Sequence, residues 1–174
     1  MRLMNKNRII GPIIISMLIL SNSCTIKYNL TGASIAPDVK TVSVQYFENR
    51  APLGLANLGQ MLTDELKDKF KSQTSLTVVS DMGHLNFEGE ITAYNPNQPV
   101  AIQGDETAAQ NRFTITVRVK FTNEKDPKLN FDSSFSRYKD WDSSKDIASE
   151  EEQLVEEILE LIIEDVFNKA VVNW

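Results

Sequence analysis

RFTITVRVKFT, residues 112–122, is the stretch that decides the fold. Phe113, Ile115, Val117, Val119 and Phe121 take every second position, and Thr114, Thr116, Arg118, Lys120 and Thr122 fill the gaps. A period of two sends the first set to one face of an extended strand and the second set to the other. The strand therefore belongs to a sheet that is buried on one side and wet on the other, which is the habit of antiparallel sheets. Asn123-Glu124-Lys125-Asp126-Pro127-Lys128 then reads as a hairpin loop, and Leu129, Phe131 and Phe135 begin the return strand.

Working outward, Leu85, Phe87, Gly89, Ile91 and Ala93 alternate with polar residues and predict the preceding strand. Asn95 to Gln110, with Pro96, Pro99 and Gly104, reads as a loop of about 16 residues, longer than most connections. Further upstream, Val42, Val44 and Tyr46 share one face of a strand over Val39–Phe47, with Thr41, Ser43 and Gln45 opposite. Leu76–Val79 is a short β-branched strand closed by the turn Asp81-Met82-Gly83. Two segments carry the helical period instead. Leu55, Leu58, Leu62, Leu66 and Phe70 recur at three and four residues between charged ones. Near the C-terminus, Ser149 with Glu152 has capping-box spacing, followed by Leu154, Val155, Ile158, Leu161, Ile162 and Val166 on a wide apolar face. The order β-α-β-β-β-β-α predicts an α+β two-layer sandwich, two helices packed on one face of a mainly antiparallel sheet.

The N-terminus has another purpose. Arg2, Lys6 and Arg8 precede an apolar run, Ile9–Leu20, that is interrupted by Gly11-Pro12 and too short to span a bilayer. This is signal-peptide layout over residues 1–23. Cys24, the single cysteine, stands where cleavage would fall, as in bacterial lipoproteins, although Ser21 occupies the lipobox position that is usually aliphatic. An unpaired thiol in an oxidising compartment is otherwise a liability, which favours lipidation of Cys24 over an ordinary secreted chain. Residues 24–38 then read as lipidated cysteine and tether, and 39–174 as one domain of ordinary size. Losing the signal removes three of the 18 bases and none of the 24 acids, which moves the formal charge from −6 to −9. Such an acidic chain argues against nucleic acid and against electrostatic adhesion to an anionic membrane.

No catalytic or cofactor motif appears, so no enzyme and no cofactor are expected. His84 is the single histidine and reads as a turn residue, because a general base needs a positioned partner. A metal site is not expected either. Asp140-Trp141-Asp142-Ser143-Ser144-Lys145-Asp146 has oxygens at calcium-loop spacing, but Lys145 stands where the loop needs glycine. The candidate anionic-ligand set is basic. Arg118 and Lys120 share a face, Lys125 and Lys128 sit at the hairpin tip, and Arg112 precedes them, in an otherwise acidic protein. Plain solubilising residues on an exposed sheet face would look the same.

Four stretches, Thr41–Pro52, Leu85–Ile91, Asn111–Thr122 and Phe167–Trp174, resemble the LptE-like lipopolysaccharide-assembly lipoproteins of the Bacteroidota type. They are packing strings spread over most of the mature chain, so the resemblance rests on extent. It implies an outer-membrane lipoprotein on the periplasmic side that plugs an LptD-like β-barrel translocon and assists its assembly. Lipopolysaccharide is a candidate ligand, and no ligand motif carries over residue by residue. The rival reading is a lipid-anchored periplasmic binding module without a barrel partner, and a small hydrolase using His84 is a third.

Overall fold

The computed structural model describes residues 35–100 and 110–171; the signal segment, Cys24 and residues 101–109 lie outside the described residues. Among the described residues, six strands and two long helices form the α+β sandwich that the periodicities predict, with a short extra strand, the second, before the first helix: β1 (Thr41–Val44), β2 (Glu48–Asn49), α1 (Leu58–Gln73), β3 (Thr77–Val79), β4 (Leu85–Val100), β5 (Gln110–Asn123), β6 (Phe131–Asp142) and α2 (Ile147–Val171). The sheet order is β3-β1-β4-β5-β6, with β2 added beside β4. The long pairs β4–β5 and β5–β6 are antiparallel, whereas β1–β3, β1–β4 and β2–β4 are parallel. The sheet is therefore mixed, because α1 carries the chain from β1 back to the start of its neighbour β3 as a β-α-β unit.

The register of β5 follows its alternation. Phe113, Ile115, Val117, Val119 and Phe121 are buried in one cluster with Leu62, Leu66, Ile158 and Ile162. Phenylalanine rings tie the layers together: Phe70 meets Phe87 at 5.0 Å and Phe167 at 5.1 Å, and Phe87 meets Phe121 at 4.8 Å. Each fully buried ring contributes about 1.5–3 kcal/mol, so this chain of contacts is a main source of stability.

Four departures from the sequence reading have physical causes. Tyr46 does not join Val42 and Val44; it is 55% exposed, and Phe47 is buried in its place. Between Val44↔Phe87 and Glu48↔Glu90 the β1–β2 side has one residue more than β4, a bulge that rotates the chain by one side chain. Thr63 of α1 fixes the bulge, its Oγ1 accepting from the Phe47 N–H at 3.0 Å and donating to the Gly59 carbonyl at 2.6 Å. Secondly, the stretch expected to be a loop shrinks from both ends, since β4 runs on to Val100 and β5 begins at Gln110. Pro96 is accommodated at the irregularity between Asn95 and Gln98, and that part of β4 has no strand on its other side among the described residues. Thirdly, α2 starts at Ile147 with Asp146 as its cap, Oδ1 accepting from the Ala148 N–H at 3.1 Å, while the Ser149 hydroxyl donates to the Asp146 carbonyl. The Ser149 capping box is therefore not formed, because Asp146, an equally good cap, stands three residues earlier. Finally, Leu161 stands outside the core at 39% exposure, and Leu159 and Ile163 are buried instead.

Candidate functional site: the open sheet face

Helices cover one face of the sheet, so the side chains of the intervening positions stand on the other. Arg118 and Lys120 are there, as the alternation of β5 requires, but neither is a lone cation. Arg118 grips Asp132 of β6 through two hydrogen bonds of 2.8 and 2.7 Å, and Lys120 donates to Glu88 of β4 at 2.6 Å. Arg112 makes the same forked contact with Asp140 at 2.8 and 2.9 Å and stacks 3.6 Å above the Tyr138 ring. Arg50 bridges Glu48 and Glu90, both at 2.9 Å. These partners follow from register, since Glu88, Lys120 and Asp132 lie in one cross-strand row.

The electrostatics are those of matched pairs. The Arg118 guanidinium holds the Asp132 carboxyl below its usual range, and Asp132 in turn raises Arg118. Glu88 likewise raises Lys120. All are solvated, so each pair contributes little to stability and serves mainly to order the face. They border a shallow depression of about 420 Å³ that includes the exposed Tyr46 and is framed by four carboxylates and three cations. The bulge at Gln45–Phe47 builds it, by turning Tyr46 outward and starting β2 one residue late.

The four basic candidates do not converge. Arg118 and Lys120 line this depression. Lys125 pairs with Glu124 at 3.0 Å and borders a separate, more apolar hollow of about 350 Å³ beside Val39, Leu85, Leu129 and Val171. Lys128 sits in the 3-10 turn Pro127–Leu129 and makes no ion pair among the described residues. What sequence reasoning missed is the carboxylate set, Glu88, Glu90 and Asp132. The signal for it lay in the polar positions of the flanking strands.

The remaining candidates have structural employment. His84 Nδ1 accepts the Lys40 N–H at 3.0 Å while the His84 N–H donates to Thr41 Oγ1 at 2.9 Å, which staples β4 to β1. An accepting Nδ1 places the ring hydrogen on Nε2. In the acidic string, Asp140 serves Arg112, Asp142 accepts from Ser144, Asp146 caps α2, and Lys145 pairs with Glu150 at 3.1 Å. Among the described residues no three Asp, Glu, His or Cys side chains converge on a cation position. Buried Tyr94 donates to Glu151 at 2.5 Å, and burial together with this carboxylate pushes its phenol far up.

The LptE family model, described as lipopolysaccharide-assembly, matches residues 39–170. The chain belongs to that family. The match includes every element from β1 to the last turn of α2, so the sandwich is the family's domain, and lipopolysaccharide assembly is the process this LptE-family protein serves. Solved structures share the fold at low identity. A minor lipoprotein of Acinetobacter baumannii is 11% identical, with a TM-score of 0.50 over 75% of this chain and 91% of its own. A Xanthomonas campestris protein is 10% identical, with a TM-score of 0.52 over 80% and 90%. A hypothetical protein of Chlamydia trachomatis is 10% identical, with a TM-score of 0.50 over 78% and 99%. No curated protein matches the sequence. Among the described residues no helix is long and apolar enough to cross a membrane.

Proposed function

We propose that this LptE-family protein is an outer-membrane lipoprotein, tethered through acylated Cys24 on the periplasmic side, that plugs the lumen of an LptD-like β-barrel and helps it assemble. The observation that carries this reading is the open sheet face, where Arg118, Lys120, Arg112 and Arg50 are each matched by a carboxylate. A surface that is polar but internally neutralised can stand inside a large barrel, whose lumen is polar, without demanding a charged partner at every position. The anchor would hold domain and barrel at high effective concentration.

The test is extraction of the native protein in mild detergent. A barrel of large mass should copurify with it, and barrel insertion should fall when the lipoprotein is depleted. A lipoprotein that fractionates alone, beside a normally inserted barrel, would support the rival reading of a binding module and overturn this one. The anchor is tested separately: a Cys24→Ala variant should leave the membrane fraction. Direct binding of lipopolysaccharide phosphates at Arg118 and Lys120 is a second reading, supported by the depression they line. Any phosphate must displace Asp132 and Glu88, so single changes should be nearly silent. Reversal of both charges would crowd new acids against Glu88, Glu90 and Asp132, so the suitable variant is Arg118→Gln with Lys120→Gln. If the folded double variant binds lipopolysaccharide as well as the parent does, the face is only solvated.

A further inference from the structure

The hollow beside Lys125 lies at the end of the sandwich where the tether meets the domain. Four parts of the chain build it. Ile35 and Val39 come from the root of the tether, Leu85 opens β4, Leu129 stands in the β5–β6 hairpin, and Ala170 and Val171 end α2. Val39, Leu85 and Val171 are buried and form an apolar floor, while Leu129 is 40% exposed on the wall. About 350 Å³ is at the small end of cavities that hold organic ligands, enough for one bicyclic ring.

The walls are set before anything enters. The Val39 N–H donates to the Ala36 carbonyl at 3.0 Å, which turns the tether root beside the floor. Across from it, Asn123 Oδ1 accepts the Lys125 and Asp126 N–H groups, both at 2.9 Å, and Asn130 Oδ1 accepts the Asn123 N–H at 2.7 Å. These bonds fix the hairpin backbone that carries Leu129. An exposed leucine held beside an apolar floor is surface from which water is released favourably.

We infer that Trp174 seats its indole in this hollow and so fastens the root of the tether to the end of α2. Residues 172–174 lie outside the described residues, but the chain limits where Trp174 can go. It stands three residues beyond Val171, part of the hollow's floor, so the two Cα atoms are no more than about 11 Å apart in any conformation. Three is also a helical spacing. At the period of α2, positions 170, 171 and 174 share one face, and the first two already line the hollow. The chemistry matches as well. An indole has a large apolar body and one N–H donor, and the hollow offers an apolar floor with the Asp38 and Asp126 carboxylates among its lining groups. The packing of Trp174 does not depend on the proposal above; its consequence, a stiffened link to the anchor, rests on the acylation of Cys24.

Trp141 and Trp174 are the two tryptophans of the chain, so Trp141→Phe leaves Trp174 as the single indole fluorophore. Its emission should be blue-shifted and quenched by acrylamide several-fold more slowly than that of free tryptophan, both in the lipoprotein in detergent and, without lipid, in a Cys24→Ala background. Adding Leu129→Ser, on the hairpin surface, should keep the circular-dichroism signal and return quenching to near the free rate. With Trp141 restored, Trp174→Ala should speed hydrogen exchange of the Val39 amide several-fold and leave the β6 amides unchanged. Were Trp141→Phe to unfold, the difference between parent and Trp174→Ala supplies the same fluorescence readings. A water-exposed Trp174 in the folded protein overturns the inference, and so does shielding that ignores Leu129→Ser, since the indole then lies elsewhere. Shielding present only with the lipid puts the indole in detergent, and shielding that fades on dilution assigns it to a second copy; either result overturns the inference too. An unchanged Val39 amide overturns the fastening of the tether. None of these readings bears on copurification of the barrel, so the plug reading stands or falls separately.

Discussion

Thr63→Val is the sharpest probe of how the open face is built. Thr63 is 2% exposed, and its hydroxyl is the hydrogen-bond acceptor for the Phe47 amide inside the bulge. Valine keeps the volume and the β-branch but removes the oxygen. The Phe47 N–H would then be buried with no partner, which costs about 1–3 kcal/mol. For a domain of this size that corresponds to a fall in Tm of roughly 3–12 °C. Thr63→Ser is the control. It keeps the hydroxyl and loses one methyl group, worth about 0.8 kcal/mol. Thermal unfolding by circular dichroism gives the two costs, and exchange of the Phe47 amide reports the bond itself. The valine variant should lose protection at that amide and the serine variant should not. Equal stability of parent and valine variant, with Phe47 still protected, would refute the claim that this hydroxyl sets the bulge.

Three further outcomes follow from the same geometry. Val117→Asp buries an unpaired charge at a fully enclosed position and should abolish the folded circular-dichroism signal, whereas Thr116→Asp, one residue away on the open face and half-buried, loses only the hydroxyl contact with Ser136 and should leave the domain folded. Gly89→Ala should cost about 1–3 kcal/mol or more in chemical denaturation, because its Cβ would lie 2.1 Å from the Arg118 carbonyl and 2.7 Å from the Phe47 ring; a neutral result would mean that β4 and β5 lie further apart than described. Glu65, half-buried on α1 and facing Glu156 and Glu160 of α2, has its carboxyl raised above the usual range, chiefly by burial. A raised acid in the folded state weakens folding once it is ionised, so the penalty is fully present above its folded pKa and vanishes below its unfolded one. Glu65→Gln should therefore stabilise the protein modestly at pH 7, and the gain should disappear as the pH falls below the ordinary carboxylate range. A pH-independent gain would point to packing instead.

How much of this was legible depended on whether one strand or two were needed to see it. The inward set of β5 could be read directly, because a period of two in a half-buried strand is decided by the strand alone. Tyr46 and Phe47 could not, since one extra residue beside β4 inverts every side chain after it and only the pairing reveals the extra residue. The capping of α2 failed for a milder reason: Asp146 and Ser149 are both good caps three residues apart, and local preference alone does not choose between them. The long connection was misjudged because Pro96 and Pro99 signal a break, while an unpaired side of β4 lets the strand absorb them. Charge was the least legible feature. Five bases in one hairpin suggest a cationic patch, yet the register places Glu88 and Asp132 on either side of Lys120.

That last correction changes what the surface can do. A free cationic face on an acidic protein would attract any anion, including the phosphates of neighbouring lipids. A face whose cations are already held by carboxylates attracts little at a distance, because each pair's field cancels within a Debye length of about 8 Å at physiological salt. It can still exchange partners at contact, when a ligand brings several phosphates that replace several carboxylates together. Selectivity would then rest on multiplicity and shape rather than on net charge. This predicts how binding should depend on salt. If lipopolysaccharide engages the face by such exchange, added salt weakens the internal pairs and the new contacts alike, and the affinity should fall only gently. A steep fall, of the kind seen when clustered free cations release bound counterions, would mean that Arg118 and Lys120 stand unpaired in solution, and the paired description of the face would be wrong.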